Sequence, residues 1–168
     1  MRPLFIHPDS EFNIQIIRIL AILEKLSHNK NGNPILNIEK IAVFDFFLRH
    51  PSIFFDILKK SDKKIPFVLD ETEKNSISAN FPSTISLYRF EEYRKIIQIL
   101  YIWGFMGIEV SEWKEPYYII TDSGSEFLKT VDTVYLQRQL ELATACGTLV
   151  SQTYKNLVAN IIPHINGK

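Results

Sequence analysis

The stretch Gly104-Phe105-Met106-Gly107-Ile108-Glu109-Val110-Ser111-Glu112-Trp113-Lys114-Glu115-Pro116-Tyr117-Tyr118-Ile119-Ile120-Thr121-Asp122-Ser123-Gly124 decides the fold. Residues 105–110 and 117–121 are short runs rich in aromatic and β-branched side chains, and the polar residues 111–116 between them include a proline. The stretch therefore reads as two strands around a turn, a β-hairpin. Gly104 ends the preceding helix in the left-handed conformation that glycine adopts cheaply. Thr121 stands where the second strand ends and caps a new helix that continues through Glu126-Phe127-Leu128.

Upstream of the hairpin, residues 88–103 carry Phe90, Tyr93, Ile97, Leu100 and Tyr101 on one helical face. At the start of the chain, residues 11–26 place Ile16, Ile19, Leu20, Leu23 and Leu26 on a stripe with Gln15, Arg18 and Lys25 opposite, and Ser10 is the expected N-cap. Turn formers fill residues 27–34. Asn37 then caps a second helix that is apolar nearly all round and stops before Pro51, because the residue before proline avoids the α region. Such a helix is central to the core or covered by a partner. Pro51 opens a short third helix ending at Lys59 and Lys60. Residues 61–86 mix charged, polar and proline residues with scattered apolar ones, and read as a long irregular insertion.

Helix, helix, helix, strand, turn, strand, Thr-x-x-Gly, helix is the order of a winged helix. The expected class is mainly α with a small β-hairpin: a winged helix-turn-helix domain over residues 1–132 and a long C-terminal helix over 133–168. Within the latter, residues 134–162 read as one helix of about 43 Å. Leu136, Leu140, Ala143, Gly147, Val150, Tyr154, Leu157 and Ile161 alternate spacings of four and three along it, the period of a coiled-coil seam. The seam packs either on the chain's own domain or on a second chain.

Composition restricts function. The chain has 168 residues, 46% hydrophobic and 23% charged, with 19 basic residues against 19 acidic ones and one cysteine. That describes an ordinary domain able to bury a core without disulfides. Zero net charge argues against nonspecific nucleic-acid binding, though not against a local basic patch. The first eight residues hold too short an apolar run for a signal peptide, and no stretch approaches a membrane span, so a cytoplasmic protein is expected.

Catalytic patterns are missing as well. Gly104-Phe105-Met106-Gly107 lacks the spacing and the Lys-Ser/Thr of a phosphate-binding loop. The histidines His7, His28, His50 and His164 are too scattered to suggest a metal site, and Cys146 on an apolar helix reads as a small core residue. No enzyme activity, cofactor or small-molecule substrate is expected. Asp45 interrupts the most apolar helix and needs a buried partner, with Arg49 at i+4 the nearest; Asp45 and Thr121 are therefore expected as structural buried polar residues.

In a DNA-reading winged helix, the helix before the wing enters the major groove and the wing touches phosphate. Arg89, Arg94, Lys95 and Gln98 could do that work here. Glu91 and Glu92 would face the same backbone, and the tip Ser111-Glu112-Trp113-Lys114-Glu115 has two acids against one base. The wing is thus better suited to protein contact, with Trp113 as its anchor.

The chain resembles the middle component of the three-component ABC (ABC-3C) anti-phage systems, which include the Lamassu type. The resemblance lies in residues 41–51, an apolar-Asp-aromatic helix ending near a proline; in residues 96–110; and in residues 117–142. In the last stretch Tyr118, Thr121, Phe127-Leu128, Tyr135 and Leu142-Ala143 are similar to the family's wing, threonine cap, Phe-Leu pair and final helix. The insertion at 61–86 has no counterpart in that pattern, and Gly107 stands where a leucine-rich strand start is usual. The resemblance implies a noncatalytic adaptor linking an SMC-like ABC ATPase to an effector, often a nuclease, in a bacterial defence complex. The alternative is a transcriptional regulator, dimeric through the C-terminal helix, whose winged helix reads an operator.

Overall fold

The computed structural model describes residues 11–166; the expected N-cap Ser10 and His7 lie outside them. The chain is mainly helical with one two-stranded antiparallel hairpin. Helices α1 (Phe12–Leu26), α2 (Ile38–Arg49) and α3 (Pro51–Lys60) come first, followed by two short helices, α4 (Glu71–Asn75) and α5 (Ile77–Asn80), and a 3₁₀ turn at Ile85–Leu87. Helix α6 (Phe90–Ile102) leads into β1 (Met106–Val110) and β2 (Pro116–Ile120), and α7 (Asp122–Thr130), α8 (Val134–Cys146) and α9 (Tyr154–Asn166) complete the order.

Helix α2 is the centre of the molecule. Asn37 caps it by accepting from the Lys40 amide, and every residue from Ile41 to Leu48 is buried. Helices α1, α3, α6, α8 and α9 all pack on it, so its apolar circumference is covered from within the chain. The most extensive helix pairing joins segments more than a hundred residues apart, α1 against α8. Pro51 occupies the first turn of α3, where its missing N–H costs nothing.

Two expectations are corrected. The C-terminal segment is two helices instead of one: residues 147–153 form a turn with i to i+3 bonds, such as Leu149 N to Cys146 O (2.9 Å) and Gln152 N to Leu149 O (3.0 Å). The carbonyls that a continuing helix would need are taken by lysines. Lys63 Nζ donates to Thr148 O (2.6 Å) and Lys40 Nζ to Val150 O (2.8 Å). Thr153 then accepts from the Asn156 amide and starts α9, which folds back onto α2 and α3.

Residues 61–86, expected to be irregular, contain α4 and α5. Asp70 and Glu73 form a reciprocal capping box at the start of α4. The segment is anchored at both ends. Phe67 is buried against Phe54 (ring centroids 5.3 Å apart) and Phe55, and Leu87 is buried with its carbonyl accepting from Tyr154 Oη (3.0 Å).

Candidate interaction surfaces

The hairpin is set rigidly on the body. Gly104, at φ +74°, turns the chain out of α6 with the Phe105 amide donating to Leu100 O (2.9 Å) and the Gly104 amide to Tyr101 O (3.0 Å). On β2, the Tyr118 amide donates to Leu36 O (2.8 Å) and the Ile120 amide to Ser27 Oγ (2.9 Å), which ties the strand to the α1–α2 connection. Thr121 is half-buried rather than buried, because its hydroxyl works at the surface end of the sheet. It donates to Gly104 O (2.6 Å) and accepts from the Gly124 amide (3.1 Å). Gly124 is required by contact: a Cβ there would lie 2.3 Å from Phe105 O.

Beyond this anchorage the hairpin is bare. Trp113 at the tip is 86% exposed and Val110 66%, and Ile108 is exposed beside it. At the end of α6, Tyr101, Ile102 (78% exposed) and Trp103 are exposed too, and Trp103 meets Phe105 edge-on, which in turn stacks on Phe127 (4.7 Å). Exposed apolar groups collected in this way mark contact surfaces. On the other hairpin face Glu109 meets His28 Nε2 at 3.2 Å.

The basic residues of α6 are largely answered on the helix itself. Arg89 pairs with Glu92 at 3.3 Å and Arg94 pairs with Glu91, each at i, i+3. Lys95 and Gln98 are exposed on the same helix. The acids that the sequence places beside the arginines therefore partner them.

Asp45 is 3% exposed and has three partners. Arg18 Nε lies 2.6 Å from Oδ1, while Arg49 Nε and Tyr93 Oη lie 3.1 and 2.9 Å from Oδ2. Burial alone would raise its pKa, but the two guanidinium charges and the hydrogen bonds outweigh it, so the carboxyl is held below the usual range. Burial likewise opposes the charge on Arg18, and Asp45 more than restores it. Arg18, which periodicity puts on the solvent side of α1, is only 2% exposed. The cluster joins α1, α2 and α6.

Of the expected seam, Leu136, Ala143, Leu157 and Ile161 are buried in the chain's own core, Leu140, Val150 and Tyr154 are half-buried against it, and Gly147 is exposed in the turn. The break at 147–153 lets both halves pack on α2, α8 also against α1 and α9 also against α3, and the continuous outward seam is lost. Arg138 on α8 makes a clamp that sequence reasoning does not find. Its Nε and Nη2 reach the two Glu73 carboxylate oxygens at 2.8 and 2.6 Å, Nη2 also donates to Val68 O (2.8 Å), and its guanidinium lies 5.6 Å from the Phe67 ring centre.

Cys146 is buried, and burial pushes its thiol well above the usual value, the opposite of an activated nucleophile. Among the described residues no group of three or more His, Cys, Asp or Glu could hold a metal ion, and no helix is long and apolar enough to cross a membrane. No curated protein and no solved structure matches the chain. Residues 26–159 match the family described as ABC-three component (ABC-3C) system Middle Component 4, and the chain belongs to that family.

Proposed function

We propose that this ABC-3C middle component is a noncatalytic adaptor that holds an effector, a nuclease in the reading the resemblance gives, on an SMC-like ABC ATPase in a Lamassu-type bacterial anti-phage complex. The observation that carries the adaptor role is the combination at α6 and the hairpin: arginines paired to acids of their own helix, an acidic tip, and exposed Ile102, Val110 and Trp113. That surface offers little to phosphate and much to protein.

The architecture is read as a winged helix carrying an insertion. In support, α1, α2, α6 and the hairpin come in the order such a fold requires, and the Tyr118 amide donates to Leu36 O, so the segment before α2 runs beside β2. The anchored insertion presents Val68, Phe81 and Ile85 to solvent, apolar side chains that a partner component could cover. The adaptor keeps the effector inactive on the ATPase until foreign DNA is sensed, and the shift between two arrangements releases it.

The test is recovery of the tagged full chain from its native host at low and moderate salt, with bound proteins and nucleic acid identified together. An ABC ATPase and an effector are expected in the bound fraction. A specific DNA fragment with no protein partner would instead make the chain an operator-reading regulator.

A further inference from the structure

The register of the hairpin reveals an open edge. The strands pair Met106↔Ile120 through Val110↔Pro116, with the Thr121 amide donating to Phe105 O and the Ser111 amide to Glu115 O at the two ends. This assigns the main-chain groups of residues 105, 107, 109 and 111 to the hairpin's own ladder, and turns those of Met106, Ile108 and Val110 outward. The matching outward amides of β2, on Tyr118 and Ile120, are taken by Leu36 and Ser27. Among the described residues nothing takes those of Ile108 and Val110.

Soluble proteins guard such an edge with lysine, proline, a bulge or a covering loop. Here the outward residues carry two exposed β-branched side chains, and the one charged residue of the strand, Glu109, is on the other face with His28.

We propose that two copies of this chain pair antiparallel through their β1 edges, about a two-fold axis at Ile108, to form one four-stranded sheet. Three observations select a second copy as the occupant. The strand is complementary to itself about that axis: Ile108 meets its own copy, and Gly107 lies opposite the partner's Glu109. Moving the axis one residue toward the tip would set two Glu109 carboxylates directly opposite each other, which antiparallel pairs disfavour.

The antiparallel run also sends the tip of each copy toward the start of the other's β1, where Tyr101, Ile102 and Trp103 stand exposed. Trp113 of one copy then covers that cluster on the other, and the arrangement repeats by symmetry, a closed isologous contact. Lastly, these six side chains expose on the order of 700 Å² per copy, taking about 200 Å² for a large side chain. A standard interface uses roughly 800 Å² per partner. Because Met106 stays buried in its own core, the shared ladder is short and side-chain burial supplies most of the stabilisation.

This inference rests on reading the hairpin as a protein-contact surface and gives that surface to a second copy, which leaves the exposed apolar residues of the insertion, Val68, Phe81 and Ile85, to the other components. It is tested on the purified full chain, without other components, so that its failure is separable from failure of the adaptor role. Sedimentation over a micromolar concentration series should show a dimer. Val110→Lys, at an exposed position, should weaken it by about tenfold or more, while the thermal unfolding curve taken at concentrations where both proteins are monomeric stays in place. Ile108→Cys should give an oxidised covalent dimer, since paired Cα atoms about 5.5 Å apart suit a disulfide. Val110→Cys, about 14 Å from its copy in this register, should not. A monomer at every concentration, a dimer indifferent to Val110→Lys, or cross-linking at Val110→Cys but not at Ile108→Cys would each overturn the proposal.

Discussion

Asp45 holds the buried guanidinium of Arg18 and the half-buried one of Arg49 in place, and replacing it with asparagine removes the charge that balances both. Breaking a buried pair from one side costs about 3–5 kcal/mol. Asp45→Asn should lower unfolding stability by that order in a urea titration. Its folded-state pKa is depressed, so its contribution is fully present above the ordinary carboxylate value of about 3.9 and is lost as pH falls through the depressed one. The wild-type urea midpoint should therefore fall in strongly acid solution, and Asp45→Asn should show a shallower acid limb. Half of this cluster is legible in the sequence. A carboxylate among phenylalanines demands a partner, and Arg49 stands one turn away. Arg18 and Tyr93 are separated from Asp45 by 27 and 48 positions, and no local pattern connects them. Arg18 also carries a misleading signal, because a helix enclosed by its neighbours buries part of its polar side as well.

The break between α8 and α9 shows why a helical period can persist where a helix does not. The turn at 147–153 advances the chain so that Leu149 and Leu157 still reach the core, and apolar residues keep their spacing of three and four across it. Gly147 and Thr153 are the only local signs. The decisive groups are the lysines of distant segments. Removing either by Lys40→Met or Lys63→Met leaves a carbonyl without its charged donor and should cost about 1–3 kcal/mol, read as a shift of the urea midpoint. The hairpin is the opposite case. Its strand composition, the glycine before it and the threonine after it all act within a few residues, so the sequence carries nearly all of that element's geometry.

Across the whole molecule, the insertion is fastened by contacts that no window of sequence contains. Arg138 grips Glu73 and the Val68 carbonyl from 65 and 70 positions away, while Arg49 donates to Ser86 and Tyr154 to the Leu87 carbonyl. Arg138→Ala should free the middle of the segment while the core persists. Limited proteolysis should then cut within residues 68–86 about tenfold faster, with little change in the main unfolding transition. The capping box at Asp70 and Glu73 is readable locally, but a four-residue motif does not reveal that its glutamate is also held from α8. The pairing of α1 with α8 has a consequence of another kind. At a synthesis rate of about 5–20 residues per second, α1 leaves the ribosome roughly 6–25 seconds before α8, its largest packing partner. During that interval α2 can cover only part of the apolar surface of α1, so the early handling of the chain by chaperones is set by the order of its helices.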